Sequence, residues 1–271
     1  MTLQHLLDIA TEAALAGGAV LQAYAGKVNI REKGRMGDLV TEADRAAEAA
    51  ILDVVQRHCP THQILAEESG AQGTASDYLW AIDPLDGTTN YAHQYPFYAS
   101  SVGLLIQGKP SVGVIFDPTR QELFRAATGL GATLNRQPIR VSSIASLNQS
   151  LLVTGFAYDR HETPDNNYAE FCHFSHLSQG VRRGGAAALD LAYVACGRLD
   201  GFWERGLSAW DMAAGAVLVA EAGGQVTAYD QSEFVIESGR ILASNGALHQ
   251  AMSQELFQVK PLPSACLPKL A

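Results

Sequence analysis

The stretch from Trp80 to Asn90 combines, within a few positions, the residue types needed to bind a cation and an anion. It reads Trp-Ala-Ile-Asp-Pro-Leu-Asp-Gly-Thr-Thr-Asn, so an apolar half typical of a buried strand leads into two carboxylates, a glycine and two hydroxyls. Pro84 cannot continue a strand ladder, which predicts Asp83 on the last strand residue and Asp86 on the following turn. Thr-Thr-Asn is typical of a helix start, whose N–H groups bind anions. The segment therefore predicts metal-assisted phosphate chemistry.

Two further acids stand at the ends of predicted elements far from this stretch. Glu67 follows an apolar strand, and Asp211 follows Trp210 at a helix start. Converging carboxylates need a cation, because like charges about 4 Å apart repel by roughly 4 kcal/mol at an effective dielectric near 20. Oxygen-only ligands favour magnesium, manganese or calcium over zinc. Taken singly, each acid could instead be a helix cap or an exposed loop carboxylate, and for Asp211 alone that alternative is favoured.

Hydrophobic periodicity predicts the elements that must position these acids. An amphipathic helix opens the chain at residues 3–25, and a second begins near Thr41 with Asp44 in its first turn. The predicted strands cover 63–66, 78–83, 97–106, 111–116, 122–127 and 131–135, which makes the first half α+β. Beyond Val141 the pattern alternates, with strands at 151–156, 201–204, 225–229 and 241–243, and helices at 165–177, 186–198, 210–221 and after 245.

Composition limits the classes of partner and compartment. The 271 residues carry a formal net charge of −9, which disfavours nucleic acid as the main partner. The four cysteines show no C-x-x-C spacing, which argues against a disulfide framework and a thiolate zinc site. No apolar run approaches the roughly 18 residues of a membrane helix, and the N-terminus has no signal-peptide pattern. We therefore expect a cytoplasmic protein that does not contact a membrane.

Four motifs together resemble the inositol monophosphatase family, within the lithium-sensitive, magnesium-dependent phosphatases. They are Asp38–Asp44, Glu67–Ser69, Trp80–Asn90 and Trp210–Gly215, the last followed by Glu221-Ala222-Gly223-Gly224. The resemblance implies an α+β fold, a layered α/β/α/β/α sandwich of the inositol monophosphatase and fructose-1,6-bisphosphatase type. It also implies a homodimer. We expect one phosphatase domain over residues 1–260, with an α+β half at 1–141 and an α/β half at 142–260, before a C-terminal tail at 261–271.

The resemblance also implies the metal ligands. Glu67, Asp83 and the carbonyl of Leu85 are similar to ligands of a first magnesium ion, and Asp83, Asp86 and Asp211 to ligands of a second. A third, weaker ion is expected on Glu67. Manganese could substitute for magnesium, whereas lithium and calcium are expected to inhibit.

For the phosphate and the attacking water, the resemblance implies a role for four residues. The N–H groups of Gly87 and Thr88 would hold the phosphate. Thr88, hydrogen-bonded to Asp44, would act with Glu67 to position a water activated by the metal. No covalent phosphoenzyme is then required.

For the alcohol side, the residues that match substrate-contacting positions of the family are Asp86, Ala187 through its N–H, and Glu204, with Asp211 also bordering the substrate. The chain departs from the family at Ala186, where relatives usually carry Ser or Thr. A hydroxyl is therefore missing near the substrate, which puts substrate identity in doubt but not the chemistry.

Several charged residues near these positions have alternative interpretations. Glu204 could instead be a strand-end acid paired with Arg205 or Arg198. Arg182-Arg183 is expected at a dimer contact or on the solvated surface, because metals and backbone already hold the phosphate. Lys33 matches a lysine of a flap near the third metal, although a solvated loop charge is nearly as good an explanation.

These observations predict a magnesium-dependent phosphomonoesterase acting on a small polyol phosphate ester, with myo-inositol 1-phosphate as the first candidate. The alternatives are the same chemistry on fructose 1,6-bisphosphate, histidinol phosphate or another sugar phosphate, or a non-catalytic metal- or phosphate-binding regulatory protein. The complete set of predicted site residues argues against the last alternative, since a binder would not need a pair that positions water.

Overall fold

The computed structural model describes residues 1–27, 30–32 and 39–262. Within them lie seven α-helices: α1 Leu3–Tyr24, α2 Glu42–His58, α3 Thr88–Ala92, α4 Tyr168–Leu177, α5 Ala187–Ala195, α6 Ala209–Glu221 and α7 His249–Gln258. The same residues form fifteen strands: β1 Ile30–Glu32, β2 Leu39–Thr41, β3 Gln63–Ala66, β4 Gly70–Gln72, β5 Tyr78–Asp86, β6 Ala99–Ile106, β7 Lys109–Asp117, β8 Glu122–Ala127, β9 Gly131–Leu134, β10 Gln137–Pro138, β11 Leu151–Thr154, β12 Gly180–Arg182, β13 Gly201–Arg205, β14 Gln225–Thr227 and β15 Arg240–Ser244.

The two N-terminal helices form the first layer of the molecule. Both pack their apolar faces on one side of an eight-stranded sheet, where Leu6, Ala10 and Ile51 are buried with Trp80 of β5. By length and mean hydropathy alone α1 is long and apolar enough to cross a membrane, a test that a buried core helix also passes. Half of its most apolar window is buried inside the protein, and this core packing accounts for its composition.

The eight-stranded sheet carries the acidic residues of the N-terminal half. Its strand order is β10-β9-β8-β7-β6-β5-β3-β4, and β3 and β5 are its parallel neighbours. A second sheet of five strands follows in the chain, with the order β12-β11-β13-β15-β14. Helices α4 and α7 cover the outer face of this second sheet, where Phe174, Trp203 and Met252 pack together.

Helices α5 and α6 form the central layer between the two sheets. Glycines on the eight-stranded sheet let α6 lie close to it: a Cβ on Gly103 would be 2.6 Å from Ala213 Cβ, and one on Gly113 would be 2.3 Å from the Ala214 oxygen. This close approach fixes the depth of the helix whose first turn carries Asp211. The predicted α/β/α/β/α sandwich is confirmed.

The structure corrects several predicted boundaries. Pro84 does not end β5, because the pairing with β6 shifts register between Asp83 and Asp86 and then resumes at Asp86 opposite Ala99. A bulge thus accommodates the missing N–H. The predicted helix at 165–177 begins at Tyr168, after Asn167 with a left-handed backbone. The one-domain division and the loose tail remain predictions.

Candidate active site

Glu67 and Asp83 meet because Glu67 directly follows β3, while Asp83 is the last residue of the parallel neighbour β5 before its bulge. In the register of β3 and β5, Ala66 lies opposite Ile82. The Glu67 N–H continues this ladder by donating to the Ile82 oxygen at 3.1 Å. The carboxyl ends of parallel strands lie at one edge of a sheet, so the residue after Ala66 comes beside the residue after Ile82. The two carboxyl groups are within hydrogen-bonding reach of each other.

The bulge after Asp83 turns the chain into a short helix. Asp83 Oδ1 accepts the Leu85 N–H at 2.9 Å, which closes the turn around Pro84. Gly87 precedes α3 with φ 94°, a left-handed conformation in which L side chains are strained. Gly87 and not a threonine therefore occupies the N-cap, and Thr88 is the first helical residue. The first N–H groups of a helix have no acceptor within that helix, as anion binding requires.

Asp86 joins this loop to the central layer. Its Oδ1 accepts the N–H of Ala187 at 3.0 Å and its Oδ2 that of Ala188 at 2.8 Å. The N-cap of α5 is Ala186, which provides no side-chain hydrogen bond. A carboxylate about a hundred residues earlier in the chain thus caps α5, and the Ala187 N–H predicted to contact substrate is already bonded.

Asp211 is held by the start of α6. Its Oδ2 accepts the Ser208 N–H at 2.6 Å. The Ser208 side chain accepts the backbone N–H of Asp211 in return, which completes a capping box. Asp211 as a whole is partly exposed, and its carboxylate lines the same cavity as Asp83 and Asp86.

Asp44 and Thr88 form the contact predicted for the water-positioning pair. The Thr88 hydroxyl lies 3.1 Å from Asp44 Oδ1 and 3.1 Å from the Leu85 oxygen. Asp44 Oδ2 accepts from the N–H and the hydroxyl of Thr41, at 2.8 and 2.6 Å, in the capping box of α2. With one oxygen fixed by the helix cap, Asp44 presents the other to Thr88.

These elements open onto one cavity of about 430 Å³. Most of the acids in its lining are buried, and each of the following has a raised pKa. The pKa of Asp83 lies well above its ordinary range because of burial and the charges of Glu67, Asp86 and Asp211. Burial raises the pKa of Asp86 to about 7, although N–H groups of α5 oppose the shift. The pKa of Asp211 is also raised well above its ordinary range, chiefly by burial.

The donor set fits a divalent cation. It consists of carboxylate oxygens that raise one another's pKa, and a cation among them would reverse that effect. Across residues 1–27, 30–32 and 39–262, however, no three acidic, histidine or cysteine side chains are already arranged as a metal site. Glu67, Asp83, Asp86 and Asp211 nevertheless line the same cavity and interact electrostatically.

Glu204 lies in the same cavity, and neither of the two arginines expected beside it forms an ion pair with it. Arg205 instead pairs with Asp159 at 2.6 Å, and Arg198 with Glu122 at 2.6 Å. The alternative interpretation of Glu204 as half of an ion pair is therefore wrong. Burial raises the pKa of Glu204 to about 8, against the nearby positive charge of Arg183.

Two acids near the site were missed in the sequence analysis. Glu48, only 4% exposed, accepts the Glu68 N–H at 2.8 Å and so holds the loop that carries Glu67. Asp190 lines the cavity, and so does the exposed Arg183, which was expected on the surface or at a dimer contact. Glu48 lies four residues after Asp44, and this spacing indicates an amphipathic helix but no role near the site. Lys33 lies outside the described residues.

The chain is similar to known proteins over nearly its full length. The model of the inositol monophosphatase family matches residues 2–260. An inositol-1-monophosphatase from Synechocystis sp. is 65% identical over 94% of this chain and 89% of its own. The solved structure of inositol monophosphatase from Anabaena (Nostoc) sp. has 63% identity and a TM-score of 0.90, covering 97% of this chain and 99% of that one. The Nus factor SuhB of Escherichia coli is 42% identical over 91% of this chain and 94% of its own.

Proposed function

The chain belongs to the inositol monophosphatase family, and from this premise we propose that it is a magnesium-dependent phosphomonoesterase that hydrolyses myo-inositol 1-phosphate to inositol and phosphate. The observation that carries the proposal is the common cavity of Glu67, Asp83, Asp86 and Asp211 beside the helix start at Thr88. A phosphate ester there would meet anion-binding N–H groups on one side and cation ligands on the other.

We assign the cation ligands to the carboxylates of that cavity and the Leu85 carbonyl. Glu67, Asp83 and Leu85 would hold one ion, and Asp83, Asp86 and Asp211 a second, with a third, weaker ion on Glu67. A bound divalent cation supplies charge neutralisation, polarisation of the phosphoryl group and a lowered pKa of water. Manganese as a substitute, and lithium and calcium as inhibitors, belong to the same proposal.

The chain's own residues orient the phosphate and the water. The N–H groups of Gly87 and Thr88 would bind phosphoryl oxygens, where negative charge resides in a loose transition state. Thr88 donates its single hydroxyl proton toward Asp44, so its oxygen lone pairs are left to accept a hydrogen bond from water. Glu67 would accept from the same water and direct it in line with the leaving alcohol.

The alcohol would lie toward Glu204 and Asp86. Glu204 is buried, and its carboxyl occupies the space that a side chain on Gly155 would need, 2.3 Å from a Cβ there. Glycine at 155 thus leaves room for an acid that can bind hydroxyls. A substrate oxygen that accepts the Ala187 N–H would either share this donor with Asp86 or replace the hydrogen bond to Asp86.

The remaining assignments rest on the family or on composition alone. The homodimer is a prediction from the family, whereas the cytoplasmic location and the absence of nucleic-acid or membrane partners are predictions from composition. The same site could serve fructose 1,6-bisphosphate, histidinol phosphate or another sugar phosphate, since the catalytic groups contact the phosphoryl side.

Phosphate release from a panel of inositol, sugar and amino-alcohol phosphates tests the proposal. We expect myo-inositol 1-phosphate to give the highest kcat/KM, and chelation of magnesium to abolish the release. The control is the Asp211→Asn variant, which removes one proposed ligand and keeps the side-chain volume. A higher kcat/KM for another ester would assign that ester as the substrate. Equal rates with and without magnesium would contradict the proposed metal-dependent mechanism.

A further inference from the structure

Asp190 is a buried acid in the active-site cavity that has no assigned role. It lies in the first turn of α5, is 1% exposed and belongs to the lining of the cavity. Its Oδ1 has no hydrogen-bond partner among the residues that the structure describes. Buried polar atoms are nearly always hydrogen-bonded, so an unpaired carboxyl oxygen at a cavity indicates a partner supplied from outside the chain.

The usual structural role of such an acid is already filled. An acid in the first turn of a helix commonly caps the free N–H groups. In α5 those groups are taken by Asp86, through Ala187 and Ala188, and the Asp190 N–H itself donates to the Ala186 oxygen at 3.0 Å. Capping therefore does not explain the carboxyl of Asp190.

The surroundings of Asp190 place it on the alcohol side of the cavity. A Cβ on Gly184 would lie 2.2 Å from Asp190 Oδ1, so glycine there makes space for the carboxyl. The charges that act on Asp190 come from Glu204 and Asp86, and from Arg183 with the opposite sign. Burial and the two acids raise its pKa well above the ordinary range. A hydroxyl suits this group in either protonation state, since it donates to a carboxylate and accepts from a carboxylic acid.

We propose that Asp190 is a specificity residue that hydrogen-bonds a hydroxyl of the substrate's alcohol beside the hydroxyl held by Glu204. This inference rests on the proposed function and deepens it, because it commits the site to polyols with neighbouring hydroxyls. A site built to hydrogen-bond hydroxyls discriminates strongly against analogues that lack them.

The test compares two esters on one protein. The substrates are myo-inositol 1-phosphate and p-nitrophenyl phosphate, whose alcohol has no further hydroxyl, and the readout is the ratio of their kcat/KM values. We expect Asp190→Asn and Asp190→Ala to lower this ratio by about tenfold or more, the loss typical of a hydrogen bond to a charged group. The matched control is Glu170→Gln, which changes a first-turn acid of α4 outside the cavity lining and should keep the wild-type ratio.

A second variant covers the case in which Asp190 substitutions prevent folding. Gly184→Ala keeps the Asp190 residue but sets a Cβ where its carboxyl now lies, so the carboxyl must shift, and the same ratio should fall. Equal losses for both esters in the folded variants would show a structural role and overturn the inference. If the wild-type protein prefers another polyol phosphate, the proposed substrate is wrong. The ratio of kcat/KM for that polyol phosphate to kcat/KM for p-nitrophenyl phosphate then still tests the role of Asp190.

Discussion

The Asp86 carboxylate, on the last residue of β5, accepts the N–H of Ala187, the first residue of helix α5, at 3.0 Å. The bond links a proposed metal ligand to the helix that carries the alcohol side of the cavity. It also replaces a local cap, because Ala186 has no hydroxyl to offer. With Ala186 at the N-cap, α5 therefore depends on the Asp86 carboxylate for capping.

This dependence predicts a coupling between positions 86 and 186. In the Asp86→Ala background, Ala186→Ser should raise the free energy of unfolding by about 1 kcal/mol, because serine then caps free N–H groups. In the wild-type background the gain should be less than half of that, since Asp86 already occupies them. Urea unfolding of the four proteins without metal measures the cycle. Equal gains in the two backgrounds would contradict the capping role of Asp86.

Thr88 should affect turnover far more than stability. Thr88→Val removes the hydroxyl that lies between Asp44 and the Leu85 oxygen and should lower kcat by about 100-fold or more. Thr88→Ser keeps the hydroxyl and should recover most of the activity. Steady-state kinetics at saturating magnesium gives the comparison. A Thr88→Val enzyme with near wild-type kcat would show that the hydroxyl does not position the water.

Glu48 should act on metal affinity through the Glu67 loop. Glu48→Ala removes the acceptor of the Glu68 N–H, and we expect the Mn²⁺ dissociation constant to rise by about tenfold. Glu48→Gln keeps an acceptor oxygen and should have a smaller effect. Calorimetric titration with Mn²⁺ measures the affinity without substrate. The control is Asp53→Ala on the same helix, where the exposed side chain pairs with Arg57; a similar loss in both would contradict the positioning role.

Glu67 and Asp83 were predictable because each of these acids comes directly after an apolar strand segment in the sequence. Asp44 was equally accessible, as an acid in the first turn of a helix. The bulge at Pro84 was not predictable from the sequence, because it depends on β6 pairing again with Asp86 after the interruption. Glu48 and Asp190 escaped for a related reason. Each lies within a helix, where the sequence pattern indicates only that the residue is buried. The loop or cavity that lies beside each acid is set by tertiary packing, which the sequence pattern does not show.

His249 should make the fold sensitive to mild acid. Its ring is buried, with Nε2 2.7 Å from the Thr227 hydroxyl and Nδ1 3.0 Å from the Ser244 hydroxyl, and burial lowers its pKa to about 4 from an ordinary 6.5. The unfolded chain therefore binds this proton between about pH 6.5 and 4, whereas the folded chain does not. Stability is fully present above pH 6.5 and falls as the pH drops toward 4, by on the order of 2–3 kcal/mol from this residue.

A His249→Gln variant isolates this contribution. It should lose less stability than the wild type between pH 7 and pH 4.5, although it starts from a lower value because the two hydroxyl contacts change. Denaturant unfolding at both pH values, in the absence of metal, measures the difference. Parallel losses in the two proteins would show that the His249 imidazole is not the group responsible.

The central claim is that the buried carboxylates around Asp83 hold the cation on which hydrolysis depends. Asp83→Asn keeps the volume and an acceptor for the Leu85 N–H, but it removes the charge that interacts with Glu67, Asp86 and Asp211. The decisive measurement is phosphate release from myo-inositol 1-phosphate against magnesium concentration for both proteins, together with their melting temperatures. We predict magnesium-dependent release and a magnesium-dependent rise in Tm for the wild type, and for Asp83→Asn a rate at least about 100-fold lower and little rise in Tm. Equal rates and equal responses to magnesium in the two proteins would contradict the account.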